Sequence, residues 1–120
     1  RKTGLPAPLF DKVTGEIDKD VVEYWSRFDI VKVLSAGGSK FLARLQNKLH
    51  VICGSEDTYY LEGACYSLQK VVGDRPNKRE PVISNYVDIV PGDHTSVRNR
   101  AHYQRVYEEI ATAFLSHHAS

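Results

Sequence analysis

The sequence predicts one domain of the α/β class, a βαβ unit with two parallel strands plus flanking helices. The chain has 120 residues, of which 42% are apolar, and this length and composition suit a single packed domain. Two short, β-favouring apolar runs, at 49–53 and 86–90, are each followed by a glycine or proline. After each run, apolar residues recur at helical spacing, and this alternation of strand and helix predicts parallel strands.

Residues 1–47 are predicted to form an extended leading segment followed by short helices. Proline, glycine and charged residues dominate 1–16, with a turn near Thr14-Gly15. Asp18 is the expected N-cap of a helix over 19–27, because apolar residues follow it at helical spacing.

A pair of glycines interrupts the rest of this leading part. A helical turn over 29–34 is expected to break at Ala36-Gly37-Gly38, and Ser39 is expected to cap a short helix over 40–47. Residues 48–120 carry the βαβ unit. Its predicted elements are a strand at 49–53, a helix at 60–72 closed by Gly73, a strand at 86–90 and a terminal helix at 96–117. The apolar residues that mark the terminal helix are Val97, Ala101, Val106, Ile110 and Phe114.

Charge and composition exclude several classes of protein. The 16 basic and 15 acidic residues leave a net charge of +1, too small to suggest nucleic acid or a membrane as the main partner. No apolar run approaches the roughly 18–20 residues of a membrane span. Cys53 and Cys65 are too few for a disulfide framework. The chain begins at Arg1 and contains no methionine, so we expect a piece of a longer protein, and its compartment is not predicted.

Acidic and histidine side chains follow both strands at the point where each strand ends. Glu56 and Asp57 follow the first strand, and Asp93 and His94 follow the second. The carboxyl ends of neighbouring parallel strands meet at one edge of a sheet, where active residues gather. A carboxylate that accepts the imidazole N–H fixes its tautomer and makes the histidine a usable general base.

The order of these residues matches two thirds of a catalytic triad. In α/β-hydrolases the nucleophilic serine, the acid and the histidine follow one another along the chain. Here the acid and histidine are present, but no G-x-S-x-G occurs, and the nearest imitation, Gly37-Gly38-Ser39, does not follow a predicted strand. The serine is therefore missing from this chain.

Two motifs carry a resemblance to a known family. They are Gly54-Ser55-Glu56-Asp57-Thr58-Tyr59-Tyr60-Leu61 and Gly92-Asp93-His94-Thr95-Ser96. They resemble the C-terminal part of enterochelin-esterase-like and feruloyl-esterase-like α/β-hydrolases. Upstream, 14–18 with Trp25 and Asp29 resembles the segment between the serine and the acid-bearing strand, so the resemblance spans nearly the whole chain.

The resemblance implies a partial α/β-hydrolase fold, the C-terminal portion of a serine esterase. Asp57 would be the triad acid and His94 the triad base, acting on a small-molecule ester without metal or organic cofactor. Without the serine, the chain alone would be inactive, and its open sheet edge would pair with the N-terminal half of the domain or with a second copy. The alternatives are a non-catalytic, hydrolase-like binding or interaction module, and an unrelated α/β domain in which the two side chains lie far apart.

Simpler roles remain open for the same residues. Asp57 is also a suitable cap for the helix that starts near Tyr59, with Glu56 as the other candidate acid. Tyr59 and Tyr60 are weak candidates for lining a substrate pocket, against helix-to-sheet packing. Asp93 is expected to shape its turn. A metal site at Asp93, His94 and His102 is not favoured, because the spacing matches no known site. Cys53 and Cys65 are expected to be core thiols, with a pairing between them left open.

Overall fold

The computed structural model describes residues 6–45 and 47–118. Over these ranges the chain mixes helices with a two-stranded parallel sheet, as the sequence predicts for a small α/β domain. Residues 1–5 of the extended segment and Gln46 of the predicted helix over 40–47 lie outside the described residues. The elements are α1 (Lys19–Ser26), α2 (Ile30–Arg44), β1 (His50–Gly54), α3 (Glu62–Val72), β2 (Tyr86–Val90) and α4 (Arg100–His118).

The two helices before the sheet begin at aspartate caps. The Asp18 carboxylate accepts hydrogen bonds from the second and third helical N–H groups of α1, as expected of an N-cap. Asp29 caps α2 in the same way. The expected glycine break falls inside α2, where Gly38 has φ of 57° and ψ of −161° and kinks the helix. The two predicted helical segments therefore lie on either side of one kink.

The sheet places the two predicted loops side by side. β1 and β2 pair in parallel, in register from His50 opposite Tyr86 to Gly54 opposite Val90. α3 connects them and ends at Gly73, whose positive φ of 106° suits a residue without a side chain. The carboxyl ends of both strands consequently open on the same edge of the sheet.

The faces of the sheet are covered by different helices. Side chains alternate along a strand, so Val51, Cys53 and Val87 share the face on which α3 packs. His50 and Tyr86 lie on the opposite face, where both bond to Glu109 of α4. The sheet is thus enclosed between α3 and α4.

α4 binds the sheet through charged side chains, which the apolar pattern did not predict. Ile110 and Phe114 are 60% and 62% exposed, whereas Glu109 is buried at 1%. Arg105, one turn before Glu109, pairs with the fully buried Asp88 at 2.9 Å. The sheet-facing side of α4 is therefore defined by buried ion pairs and not by its apolar residues.

Candidate functional site

The two loops at the carboxyl edge are joined by backbone hydrogen bonds. The Ser55 N–H donates to the Val90 carbonyl at 2.8 Å, and the Glu56 N–H donates to the Gly92 carbonyl at 3.0 Å. A Cβ on Gly54 would collide with the Gly92 carbonyl oxygen, so the close approach of the two loops requires glycine at this position. This contact fixes the acid loop against the histidine loop.

Asp57 uses its two carboxylate oxygens for two different purposes. Its Oδ1 accepts the Tyr59 N–H at 2.8 Å and the more distant Leu61 N–H at 3.5 Å, and so orders the turn before α3. Its Oδ2 lies 2.9 Å from Nδ1 of His94. The expected helix cap is wrong, because α3 begins only at Glu62 and has no side-chain cap; the buried Asp57 instead orders the preceding turn and pairs with His94.

Hydrogen bonding keeps this carboxylate ionised. Burial raises the pKa of Asp57, but the hydrogen bonds from His94 and from the Tyr59 and Leu61 N–H groups outweigh it and leave the pKa below its usual value. An ionised carboxylate only accepts hydrogen bonds. Nδ1 of His94 therefore donates in this contact, and Nε2 is the ring nitrogen left for another partner.

His94 is open to solvent on the side away from Asp57. Its side chain is 39% exposed, whereas that of Asp57 is 3% exposed. The Tyr59 ring meets the imidazole edge-on, with ring centroids 4.9 Å apart and planes at 86°. Tyr59 therefore helps to hold the imidazole, while Tyr60 is 85% exposed and has a positive φ of 58°. This arrangement leaves Nε2 accessible to a proton donor from outside.

The remaining polar residues of the second loop shape the turn. The Asp93 carboxylate accepts the Thr95 and Ser96 N–H groups at 2.8 and 2.7 Å. The Ser96 hydroxyl in return accepts the Asp93 N–H at 2.8 Å. Nδ1 of His102 contacts the Val97 carbonyl at 2.7 Å. Among the described residues, no group of three or more His, Cys, Asp or Glu side chains is arranged to hold a metal ion.

A buried carboxylate that the sequence analysis did not single out lies at the opposite, amino edge of the sheet. Glu109 accepts hydrogen bonds from Tyr86 at 2.6 Å and from Arg75 at 2.9 Å, and its other contact is Nδ1 of His50 at 2.8 Å. Because His50 and Tyr86 are the first residues of β1 and β2, this cluster anchors α4 at the edge of the sheet opposite His94. The charged Asp88 in the middle of an apolar strand signals a different buried pair, the one with Arg105 of α4.

Comparison with known proteins found no match to this chain. The chain matches no family model, no curated protein and no solved structure. Across residues 6–45 and 47–118, no helix is both long enough and apolar enough to cross a membrane. The geometry of the site is therefore the basis on which we infer a function.

Proposed function

We propose that these residues supply the acid and the base of a serine carboxylic-ester hydrolase with an α/β-hydrolase fold. The supporting observation is the 2.9 Å contact between Asp57 Oδ2 and His94 Nδ1 at the carboxyl edge of two adjacent parallel strands. Asp57, the acid, is buried, whereas His94, the base, is partly exposed, as a base must be to reach a nucleophile. The serine comes from a segment outside these 120 residues.

In this proposal His94 moves the proton and Asp57 stabilises the charge. Nε2 takes the proton of the serine hydroxyl as the oxygen attacks the ester carbonyl. Asp57 holds the ring by Nδ1 and stabilises the imidazolium, which then protonates the leaving alcohol. Water, activated by the same nitrogen, releases the acid from the acyl-enzyme. No step requires a metal ion or an organic cofactor.

We further propose that the outer edge of β1 is where the rest of the hydrolase domain adds its sheet. β1 bonds to β2 through alternate residues, so the backbone groups of His50, Ile52 and Gly54 point away from β2. Among the described residues these groups form no backbone hydrogen bond on that side. The outer edge of β2 is instead capped, because Val87 bonds to the Gly73 carbonyl and to the Gln69 side chain. Without a partner strand, β1 would pair with a second copy of the chain.

The second candidate function is a hydrolase-like binding module. A groove of about 690 Å³ beside α1 favours it, because its lining includes the exposed aromatic side chains of Trp25 and Phe28. Such a module would use the groove or the β1 edge for a partner and would not hydrolyse esters. The two functions differ in whether His94 is required.

Hydrolysis of 4-nitrophenyl butyrate by the complete gene product tests the proposal. We expect Asp57→Asn to lower kcat by about 10⁴-fold and His94→Ala by about 10⁶-fold, the losses typical of a triad acid and a triad base. His117→Ala, in the exposed last turn of α4, is the matched control and is expected to retain full activity. Ester hydrolysis that survives His94→Ala would refute the catalytic role, and absence of any hydrolysis would favour the binding module.

A further inference from the structure

α4 carries an exposed apolar stripe along one side. Its residues lie at helical spacing and are each between 46% and 68% exposed; they are Tyr103, Tyr107, Ile110 and Phe114. The sheet-facing side of the same helix holds the buried Glu109 instead. A contiguous stripe of large apolar side chains in water is typical of an interaction surface.

Two cavities in the corner between β1 and α4 show which way this stripe faces. One, of about 160 Å³, lies between Ile52 of β1 and Tyr103 and Val106 of α4. The other, of about 380 Å³, is lined by His50 of β1 and by Val106 and Ile110 of α4. The stripe therefore lies on the side of α4 that overhangs the outer edge of β1.

The backbone of β1 offers hydrogen-bonding groups on that same side. His50, Ile52 and Gly54 direct their N–H and carbonyl groups away from β2. Two copies of this edge, paired antiparallel about Ile52, would use all of these groups. Ile52 would bond to Ile52 of the second copy, and His50 to Gly54 of the second copy. The edge is therefore self-complementary, as a two-fold interface between identical chains requires.

The charges on either side of β1 fit the same register. Lys48 lies two residues before the strand, and Glu56 lies two residues after it. Both are exposed, and neither takes part in an ion pair within residues 6–45 and 47–118. Pairing about Ile52 brings Lys48 of each copy opposite Glu56 of the other, which gives two attractive pairs across the interface.

The spacing of strands and helices lets the two stripes meet. Neighbouring strands lie about 4.8 Å apart. At Glu109, α4 bonds to both His50 of β1 and Tyr86 of β2, so the helix lies above the gap between these strands. Two such helices, related by a two-fold axis midway between the paired β1 strands, would lie about 10 Å apart. Packed helices lie roughly 8–10 Å apart.

We propose that the chain forms a two-fold dimer in which β1 pairs antiparallel with β1 of a second copy and the α4 stripes pack together above the join. The four strands form one sheet, in the order β2-β1-β1-β2. The rest of the hydrolase domain, when bound at the β1 edge, excludes the second copy. The dimer does not rest on the proposed function: a monomeric chain would overturn the dimer and leave the Asp57–His94 pair untouched, whereas a failed hydrolysis assay would leave the dimer standing.

Sedimentation equilibrium at low ionic strength measures the dissociation constant of the dimer and tests its register. We expect Lys48→Glu and Glu56→Lys each to raise Kd about tenfold, because each turns two attractive pairs into two repulsive ones. The double variant exchanges the charges, so its Kd should return close to that of wild type. Lys12→Glu, the same change at an exposed position of the leading segment, is the control and should not alter Kd. A chain that is monomeric at every concentration, or a double variant that does not recover, would overturn the proposal.

Replacement of Tyr107, in the middle of the stripe, tests the contact between the helices. We expect Tyr107→Ser to raise Kd by about tenfold or more, because an aromatic side chain is no longer buried between the copies. Val13→Ser removes a side chain that is 93% exposed in the leading segment, and it is the matched control. Circular dichroism confirms that both variants fold. Equal Kd values for the two variants would refute packing of the stripes.

Amide hydrogen exchange at two protein concentrations locates the strand pairing. We expect the outward N–H groups of His50, Ile52 and Gly54 to exchange about tenfold or more slowly at concentrations where the dimer forms than in dilute solution. The N–H groups of Val51 and Cys53 face β2 and should be protected at both concentrations. Exchange at the outward groups that does not depend on concentration would overturn the pairing of β1 with a second copy.

Discussion

Replacing Glu109 by glutamine should remove a large share of the stability of the domain. The carboxylate accepts hydrogen bonds from the Tyr86 hydroxyl, an Arg75 nitrogen and, at 3.3 Å, the Val82 N–H, and it also contacts His50. An amide of the same shape turns an N–H₂ donor towards groups that are themselves donors. Arg75, whose side chain is 1% exposed, then loses its buried counter-ion.

The expected loss follows from the cost of an unpaired buried charge. Removing one partner of a buried ion pair typically costs about 3–5 kcal/mol. Domains of this size have a free energy of unfolding of about 5–15 kcal/mol. The loss is therefore about a fifth or more of the free energy of unfolding, equivalent to a fall in Tm of roughly 10–20 °C.

Urea denaturation followed by circular dichroism measures this loss, with a neighbouring residue as control. Glu108, one position earlier on α4, is exposed and its carboxylate accepts the Gln104 amide at 2.9 Å. We expect Glu108→Gln to stay within about 0.5 kcal/mol of wild type. Equal unfolding midpoints for Glu108→Gln and Glu109→Gln would refute the role of Glu109 as the anchor of α4.

The difference in stability between wild type and Glu109→Gln should depend on pH. Burial raises the pKa of Glu109, but the bonds from Tyr86, Arg75 and His50 outweigh it and lower the pKa below its usual value. The stabilisation from this group is therefore present above the unfolded pKa of about 4.3 and is lost as the pH falls through the folded value. Below about pH 4 the stability gap between wild type and Glu109→Gln should narrow.

Three further predictions concern the loops and the first helix. Gly54→Ala should lower the free energy of unfolding by about 1–3 kcal/mol, because its Cβ has no room beside the Gly92 carbonyl. Gly63→Ala is the control, since Gly63 has open space around it and the change should not destabilise α3. Urea unfolding compares the two variants. In His94→Ala the pKa of Asp57 should rise, because the hydrogen bond that lowers it most is removed. A ¹³C titration of the Asp57 carboxyl measures this pKa, and a value below that of wild type would contradict the prediction. Asp18→Ala should cost about 1 kcal/mol by removing the cap of α1, and an unchanged Tm would contradict it.

The elements set by local chemistry were predictable from the sequence. The predicted strands lie within one residue of β1 and β2, and Gly73 ends α3 as expected. Asp18 caps α1, and Gly38 marks the break in α2. Each of these depends on a preference that a residue expresses within its own turn or strand.

The start and the buried face of α4 were not predictable in the same way. The helix begins at Arg100 and not near 96, because Asp93 binds the Thr95 and Ser96 N–H groups and holds that stretch in a turn. Apolar spacing favoured Ile110 as an inward residue, yet Glu109 is buried in its place. The partners of Glu109 come from distant parts of the chain, so a periodic pattern within one helix does not reveal them.

The contact within the candidate site was foreseeable from topology alone. Parallel strands bring their carboxyl ends to one edge, so Asp57 and His94 were expected within reach of each other, and the structure brings them together. The sequence left open whether Asp57 caps a helix that starts near Tyr59 or pairs with histidine. The structure shows the pairing, whereas α3 begins only at Glu62 and has no side-chain cap. The catalytic role of the pair stays a prediction.

Labelling the complete gene product with a fluorophosphonate, which reacts covalently with activated serines, reveals whether His94 activates a serine. We expect one labelled serine, within a G-x-S-x-G sequence outside these 120 residues, and loss of labelling in His94→Ala but not in His117→Ala. Absence of any labelled serine, or equal labelling of wild type and His94→Ala, would contradict the claim that Asp57 and His94 serve a serine nucleophile.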